Sequence, residues 1–342
     1  MHTHAAQAPV ARGGIEVEQA ILLEGIRKTF GEKVAVDDFD LVVPQGKLYG
    51  FIGPNGAGKT TTIRMIMSIL FADRGRLSVL GRPSALEAKD RIGYLPEERG
   101  LYKKMKVAAF LEFIAQLKNA PRRGLRRRVM SWLDRVGLAD VAKKKCEELS
   151  KGMQQKIQLL SSIIHEPELL ILDEPFSGLD PVNMHLLREL VLEQHQRGAT
   201  IVFSTHVMQQ AEQLCENIVM INNGRKVLDA PLEEIRRRFD PRALILELLE
   251  ADADLAPVRN LSCVEEVKNT PQGATVGLVE GTDPSAAIAA IAAALPVARV
   301  EVHRPSLEEI FIEIVTGDRH ASDVRAQNLR AALRDPSQGG VR

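Results

Sequence analysis

The chain has 342 residues, 45% of them hydrophobic, which is enough for two domains with apolar cores. The 45 Lys and Arg residues balance the 45 Asp and Glu residues, so no chain-wide basic field favours nucleic acid as the main partner. Cys146, Cys215 and Cys263 are far apart and give neither a metal-ligand spacing nor a disulfide framework, as expected in a reducing cytosol. No apolar run is long enough to span a bilayer, and we expect a chain that is soluble by itself.

The first segments predict a tail followed by strands. Residues 1–19 are small and polar and are predicted to form a disordered N-terminal tail. Alternating apolar residues then predict strands over 21–30, 33–43 and 47–52. Phe30 ends the first of these, and it is either a base-stacking aromatic or an ordinary core residue at a strand end.

A glycine-rich loop connects the strand at 48–52 to a helical pattern that continues to Leu70. Gly53, Gly58, Lys59 and Thr60 satisfy the spacing G-x-x-x-x-G-K-[ST]. Such a loop turns backbone N–H groups toward an anion, Lys59 can reach the terminal phosphates, and the Thr60 hydroxyl can bind Mg²⁺. The predicted nucleoside triphosphate loop consists of Gly53, Pro54, Asn55, Gly56, Ala57, Gly58, Lys59, Thr60 and Thr61.

Residues 105–142 have a helical pattern and most of the local positive charge. The basic residues are Lys103, Lys104, Lys106, Lys118, Arg122, Arg123, Arg126, Arg127 and Arg128. They indicate either a solvated helix face or a surface that lies near anionic lipid headgroups or an acidic partner.

The next predicted helix begins at Ser150, which is a good N-cap residue. Lys151 follows in the first turn, where a cation opposes the helix dipole unless an anion binds there. The apolar run 169–172 predicts a strand buried on both faces of a parallel sheet, and it ends at Asp173 and Glu174. At the carboxyl end of such a strand, Asp173 can hold Mg²⁺ through water and Glu174 can polarise an attacking water.

The remaining chain predicts a helix over 181–197 and a strand over 200–204. His206 follows this strand, and its imidazole can hydrogen-bond a γ-phosphate. Asn223 and Gly224 predict a hairpin turn, and Asp240-Pro241 predicts a domain boundary. Beyond it, strands are predicted at 243–249, 263–268, 274–280 and 298–303, with helices starting at Asp283 and at Ser306, where Glu309 completes a capping box. This pattern indicates a small α+β domain without a catalytic cluster.

Taken together, these motifs resemble the ATP-binding cassette of ABC transporters, an α/β P-loop NTPase fold with an inserted helical subdomain. GPNGAGKT resembles the Walker A motif, and LLILD resembles the Walker B motif. Glu174 resembles the catalytic base that follows Walker B, and residues 177–180, which end at Asp180, resemble the D-loop. His206 and Phe30 match the switch histidine and the adenine-stacking aromatic. The implied domains are a cassette over 20–239 (helical subdomain about 100–165), a C-terminal accessory domain over 240–318, and a polar tail over 319–342.

Within the family, the sequences GYLPEERGLY and LSKGMQQK are most similar to bacterial ABC-2 type exporters, including the sodium-efflux (Nat-type) ATPases. Two motifs depart from the broader family pattern. The signature, commonly LSGGQ, has Lys151 and Met153 at its third and fifth positions, while Ser150 and Gly152 are kept. Glu97 replaces the glutamine of the Q-loop and is expected to place an acid near Mg²⁺.

The resemblance implies an ATPase subunit that uses ATP and Mg²⁺ and lies on the cytoplasmic face of the cell membrane. Two copies would sandwich ATP between the Walker A loop of one and Ser150, Lys151, Gly152 and Asp180 of the other. Their closure would drive a separate membrane permease for export, and no nucleic acid is expected as a partner. The competing class is a soluble ABC ATPase that acts on nucleic acid or ribosomes, but such chains usually have two cassettes or long coiled-coil insertions.

Overall fold

The computed structural model describes residues 18–98, 100–240, 242–250, 253–270 and 273–317. The predicted tails at 1–19 and 319–342 lie outside these ranges, apart from residues 18 and 19. The contacts divide the described chain into two compact units. The first contains residues 18–51, 56–205 and 221–226, and the second contains 52–55, 206–220 and 227–317.

The strands of the first unit form an antiparallel sheet and most of a second, larger sheet. They are β1 (Gln19–Phe30), β2 (Lys33–Pro44), β3 (Leu48–Ile52), β4 (Arg74–Val79), β5 (Ile92–Leu95), β6 (Leu169–Asp173) and β7 (Thr200–Thr205). The antiparallel sheet has the order β2-β1-β4, and the larger sheet begins with the order β5-β6-β7-β3. Strands β5, β6 and β7 are parallel.

The helices of the first unit follow the predicted pattern closely. They are α1 (Lys59–Ile66), α2 (Val107–Leu117), α3 (Leu125–Arg135), α4 (Lys151–Ile163) and α5 (Pro181–Gln196), with 3₁₀ helices at Ala85–Arg91, Ala139–Val141 and Cys146–Glu148. The Ser150 side chain caps α4 by accepting the Met153 N–H, and the Asp180 side chain caps α5 by accepting the Asn183 N–H.

The apolar run that precedes Asp173 forms β6, and all five of its residues are buried. Strand β7 is buried along its whole length as well, and Asp173 lies opposite Ser204 in the parallel register. Because β5 and β6 run in the same direction, the residues that follow them, Glu97 and Glu174 among them, lie at one edge of the sheet.

One predicted boundary is wrong. The helical pattern after the glycine loop continues to Leu70, but α1 ends at Ile66. Ser68 has a left-handed φ of 56° and closes a turn by donating its N–H to the Met65 carbonyl. As a result Ile69 and Phe71 lie outside the helix and are 54% and 73% exposed.

The second unit contains α6 (Met208–Leu214), α7 (Leu232–Arg238), α8 (Ala256–Arg259), α9 (Pro284–Ala294) and α10 (Leu307–Thr316). Its own antiparallel sheet consists of β10 (Ala243–Leu248), β11 (Val264–Thr270), β12 (Gly273–Leu278) and β13 (Val297–Val302). These strands have the order β11-β12-β10-β13. Strands β8 (Asn217–Asn222) and β9 (Arg225–Pro231) are divided between the two units, because residues 221–226 belong to the first.

Successive side chains of a strand point to opposite faces of the sheet, and one face of β10 and β12 is buried and apolar. Leu244, Leu246 and Val276 from that face pack with Val258 of α8 and Ile291 of α9 in one core. Helix α10 begins with the predicted capping box and packs against α6 instead. The Glu212 carboxylate of α6 accepts the Leu307 N–H, which is the first N–H of α10.

Candidate functional site

The glycine loop leads into α1 through a backbone that only glycine tolerates. Gly58 has a φ of 110°, and a Cβ atom at this position would lie 2.7 Å from the Ala35 carbonyl oxygen. The first turn of α1 contains no acidic residue. The loop therefore ends in backbone N–H groups at a positive helix end, which suits an anion. Gly53, Pro54 and Asn55 directly precede this part of the loop in the chain and belong to the second unit.

Lys59 is a buried cation that faces carboxylates. Its side chain is 5% exposed, and Nζ lies 3.8 Å from Oε1 of Glu174, which is 8% exposed. Burial lowers the pKa of Lys59, while the nearby negative charges of Glu174, Asp173 and Glu97 oppose that shift. A buried ammonium group at the start of α1 is suited to contact a phosphate.

Asp173 is held by hydroxyl groups through only one of its oxygens. Oδ1 accepts hydrogen bonds from Ser204 Oγ at 2.5 Å and from Thr60 Oγ1 at 3.3 Å. Oδ2 is buried and has no hydrogen-bond partner among the described residues. Burial raises the pKa of Asp173, and the hydroxyl hydrogen bonds oppose the shift. A divalent cation would satisfy the buried Oδ2, so this residue fits Mg²⁺.

No group of three or more His, Cys, Asp and Glu side chains that could hold a metal ion occurs within the described ranges.

Glu174 adopts a strained backbone conformation. Its φ of 49° lies in the left-handed region, which is uncommon for residues other than glycine. Its N–H is directed at the Ser204 carbonyl and at Ser204 Oγ, each at 3.2 Å. Strain of this kind, which costs roughly 1–3 kcal/mol, clusters at active sites, where the surrounding structure holds a side chain in a required direction.

Glu97 follows β5 and belongs to the same electrostatic cluster. The residue as a whole is exposed, but burial of its carboxyl raises its pKa, and Asp173 and Glu174 raise it further. Tyr94, near Asp173, has its pKa raised to about 12, mainly by burial. The predicted acid near the metal position is thus close enough to interact with both carboxylates after β6.

A residue that the sequence analysis missed holds the Glu97 loop. Gln158 Nε2 donates to the carbonyls of Pro96 at 3.2 Å and Glu98 at 3.1 Å, on either side of Glu97. Its neighbour on the same helix face, Gln155, donates to the Pro175 carbonyl at 2.9 Å. The buried face of α4 carries a stripe of three polar residues, Gln155, Gln158 and Ser162. Polar residues on a buried helix face are the sequence signal that could have identified Gln158.

The signature segment lies beside the D-loop. A Cβ atom on Gly152 would lie 3.4 Å from Nδ2 of Asn183. Asn183 in turn donates its N–H to Oδ1 of Asp180 at 3.0 Å and its side-chain amide to Oδ2 at 2.5 Å. The structure therefore brings Ser150, Gly152 and Asp180 together at the N-terminal ends of α4 and α5, and leaves the Lys151 side chain exposed.

Phe30 and His206 complete the predicted residues. Phe30 is 49% exposed, so the core alternative is wrong, and Lys28 Nζ lies 5.6 Å from its ring centroid. His206 directly follows β7, is half-buried, and belongs to the second unit.

Two family models match the chain: ABC transporter over residues 36–177, and the C-terminal domain of DrrA1-3-like ATP-binding proteins over residues 231–315. The chain is 42% identical over 295 residues to the uncharacterized ABC transporter ATP-binding protein YhaQ of Bacillus subtilis, covering 86% of this chain and 98% of that protein. A solved ATP-binding subunit of an ABC transporter matches with a TM-score of 0.60 at 32% identity, over 64% of this chain and 93% of that chain.

Two further relatives have more specific names. The daunorubicin resistance ATP-binding protein DrrA3 of Streptomyces coeruleorubidus is 32% identical over 90% of this chain and 99% of its own length. The Nod factor export ATP-binding protein I of Ralstonia nicotianae is 31% identical over 88% of this chain and 95% of its own length.

The chain therefore belongs to the ATP-binding proteins of ABC transporters, and the fold class predicted from the sequence is confirmed. Members of this family bind ATP, hydrolyse it for transport and work with separate membrane components, and this chain is such a subunit. The relatives give no support to the competing class of soluble ABC ATPases. Within the described part of the chain, every helix is too short or too polar to cross a membrane.

Proposed function

We propose that this chain binds Mg·ATP as a homodimer on the cytoplasmic face of the cell membrane and energises export through a separate permease. The observation that supports the ATP chemistry most directly is the cluster of Lys59, Thr60, Asp173 and Glu174. The names of two relatives, one for drug resistance and one for Nod factor export, support the direction of transport.

Each residue of the proposed site has a role that its chemistry allows. The Walker A segment 53–61 would bind the phosphates through its N–H groups and Lys59, and Phe30 would stack on the base. Thr60 and Asp173 would hold Mg²⁺, with Glu97 near it, and the ion would neutralise phosphate charge when bound. Glu174 would accept the proton of the attacking water, and His206 would hydrogen-bond the γ-phosphate.

In the proposed dimer, Ser150, Lys151, Gly152 and Asp180 contact the ATP that the partner's Walker A loop holds. Lys151 is the first residue of α4, where the helix dipole disfavours a cation unless an anion lies nearby. The exposed position of Lys151 leaves its ammonium group able to reach such an anion.

The Lys151→Ala variant is therefore expected to need more ATP for dimerisation. We expect the ATP concentration at half-maximal dimer to rise about five-fold, since one charge-assisted contact contributes ~1 kcal/mol or more. Light scattering during an ATP titration measures this. Lys143→Ala is the matched control, because Lys143 is an exposed lysine that does not lie at a helix start. Dimerisation of Lys151→Ala at wild-type ATP concentrations would show that the lysine only faces solvent.

A band of exposed apolar residues in the first unit suits an amphipathic helix of the permease. Tyr102, Phe113 and Leu117 are 53%, 39% and 53% exposed, and the rings of Tyr102 and Phe113 meet edge to face at 5.8 Å. Lys118, next to Leu117, donates to the Lys89 carbonyl at 2.6 Å and so brings α2 next to the 3₁₀ helix that carries the exposed Leu86.

The transport function can be tested by changing the surface that would bind the permease. Lys103 and Lys104 follow Tyr102, so acidic groups on the permease helix would meet them there. The double charge reversal Lys103→Glu and Lys104→Glu should weaken co-purification with a neighbouring polytopic permease in detergent at least ten-fold, and change ATP affinity less than two-fold. The control is the double reversal of Arg236 and Arg237, which are also adjacent and exposed.

Recovery of ribosomes or nucleic acid, with the permease present and not bound, would contradict the transport function. Equal permease binding by the Lys103 and Lys104 variant and by the wild type would contradict this docking surface alone.

We further propose that the cassette spans 20–239, with a helical subdomain at about 100–165, and that 240–318 forms an accessory domain. This domain would pair or regulate the subunits without taking part in the chemistry. Its α10 packs on α6, the helix that begins at Met208, shortly after His206. That contact gives the accessory domain a route by which it can influence His206.

A further inference from the structure

The turn between β8 and β9 contacts the phosphate loop directly. Asn223 and Gly224 form the turn with φ values of 48° and 76°, and residues 221–226 belong to the first unit. The Gly224 N–H donates to the Ala57 carbonyl at 2.8 Å. On its other side, the Gly224 carbonyl accepts the Asp37 N–H of β2 at 2.9 Å. Gly224 therefore connects the phosphate loop to β2.

The hydrogen bond to Ala57 fixes the direction of a donor. In a trans peptide the carbonyl of one residue and the N–H of the next point in opposite directions. When Gly224 holds the Ala57 carbonyl on one side, the Gly58 N–H must face the other side. If this peptide turned over, the Ala57 carbonyl oxygen would replace an N–H donor at the phosphate position, and two negative groups would face each other.

The packing at this point leaves little freedom. Cβ atoms built on Gly58 and on Gly224 would lie 2.7 Å and 2.8 Å from the same atom, the Ala35 carbonyl oxygen. Both glycines thus pack against one carbonyl of β2. The loop and the turn fit together only while β2 keeps its position relative to the turn.

A charged cluster holds the turn against β2. Arg225, the residue after Gly224, donates from Nη2 at 2.6 Å and from Nε at 3.1 Å to Oδ2 of Asp37. Arg27 of β1 forms an ion pair with the other oxygen, Oδ1. Hydrogen bonding by Arg225 is the main cause that lowers the pKa of Asp37, and Arg27 acts in the same direction. Asp37 therefore stays ionised and joins the turn to two strands.

We propose that Asp37, Arg225 and Gly224 are positioning residues for phosphate binding: they hold the Ala57–Gly58 peptide in the orientation that directs its N–H at the nucleotide. This inference rests on the proposed nucleotide site. None of the three residues needs to touch the ligand, and their loss acts through the loop.

The test measures phosphate binding separately from base binding. Inorganic tripolyphosphate has no base or ribose, so its affinity reports on the phosphate contacts alone. For the full-length Asp37→Ala protein, calorimetry should show dissociation constants for tripolyphosphate and for ATP that are both raised about five-fold, the loss expected for one mis-set hydrogen-bond donor. The hydrolysis rate at saturating ATP should stay within two-fold, so that KM changes and kcat does not. Phe30→Ala is the contrasting variant, and it should weaken the binding of ATP but not the binding of tripolyphosphate.

The matched control is Glu168→Ala. Glu168 accepts a bidentate hydrogen bond from Arg91, with both distances at 2.6 Å, and it precedes the amino end of β6. This places it about 15 Å from the carboxyl end of the strand. The control should lose a similar amount of thermal stability and keep wild-type affinity for tripolyphosphate.

A second variant, Arg225→Gln, alters a side chain that is 70% exposed. It replaces Asp37→Ala in the test if that variant does not fold. Arg225→Gln should lower the affinity for tripolyphosphate in the same way. Wild-type affinity for tripolyphosphate in a folded Asp37→Ala or Arg225→Gln protein overturns the inference, whatever happens to thermal stability. If the wild-type chain itself binds neither ATP nor tripolyphosphate, the nucleotide site is wrong and the inference is overturned with it.

Discussion

Glu174→Gln is expected to reduce ATP hydrolysis by about 100-fold or more, because general base catalysis contributes ~10²–10⁴-fold and an amide cannot accept the proton of water. The side chain keeps its size, so ATP binding should be retained. A protein that binds but cannot hydrolyse should accumulate as an ATP-bound dimer, visible by gel filtration in Mg·ATP, whereas the wild type should return to monomer.

Glu166→Gln provides a close control for this variant. Glu166 is also a glutamate with a left-handed backbone, at a φ of 57° compared with 49° for Glu174. The same substitution there changes the same chemical group in the same backbone conformation, but beside Arg197 instead of Lys59. It should leave hydrolysis unchanged. Hydrolysis by Glu174→Gln at the wild-type rate would remove Glu174 from the mechanism.

Lys59→Ala should weaken ATP binding itself, by roughly 10- to 100-fold, since a hydrogen bond to a charged group contributes ~1.5–3 kcal/mol. The electrostatic cluster adds to the loss. Lys59 interacts with Glu174, Asp173 and Glu97, and without it three carboxylates would oppose the approach of a polyphosphate. Fluorescence titration with a labelled ATP analogue measures the change.

Lys156→Ala is the control, because it removes a lysine hydrogen bond elsewhere and so shows whether the loss of ATP affinity is specific to Lys59. Lys156 donates to the Val136 carbonyl at 3.2 Å, and it lies on α4 rather than at the phosphate loop. Its removal should lower thermal stability slightly and leave nucleotide affinity unchanged. An unchanged affinity for ATP in Lys59→Ala would mean that the glycine loop does not bind the phosphates through this residue.

Features whose cause is local were predicted from the sequence. The Ser150 cap, the Ser306–Glu309 capping box and the Asn223-Gly224 turn all depend on residues within a few positions of each other. The buried run before Asp173 likewise predicted both β6 and the place of two carboxylates.

Two contacts between distant partners were not predicted. The bond from Gln158 to Glu98 joins residues 60 positions apart, and the pair of Arg225 with Asp37 spans 188 positions. No local pattern marks either partner. The end of α1 was misplaced because the apolar residues Ile69 and Leu70 continue the helical pattern, although Ile69 is exposed and Leu70 is only half-buried.

The two hydrogen bonds of Gln158 have a mechanical consequence for the proposed dimer. Helix α4 begins next to Ser150, and Gln158 lies on it about 12 Å further along, at ~1.5 Å per residue. In the proposed dimer, Ser150 would meet the ATP held by the partner, while Gln158 holds the backbone on both sides of Glu97, which would lie beside this chain's own ATP. Helix α4 would then connect the two nucleotides. A displacement at one of them would move the acid beside the other, so that the two hydrolysis events would be timed with respect to each other.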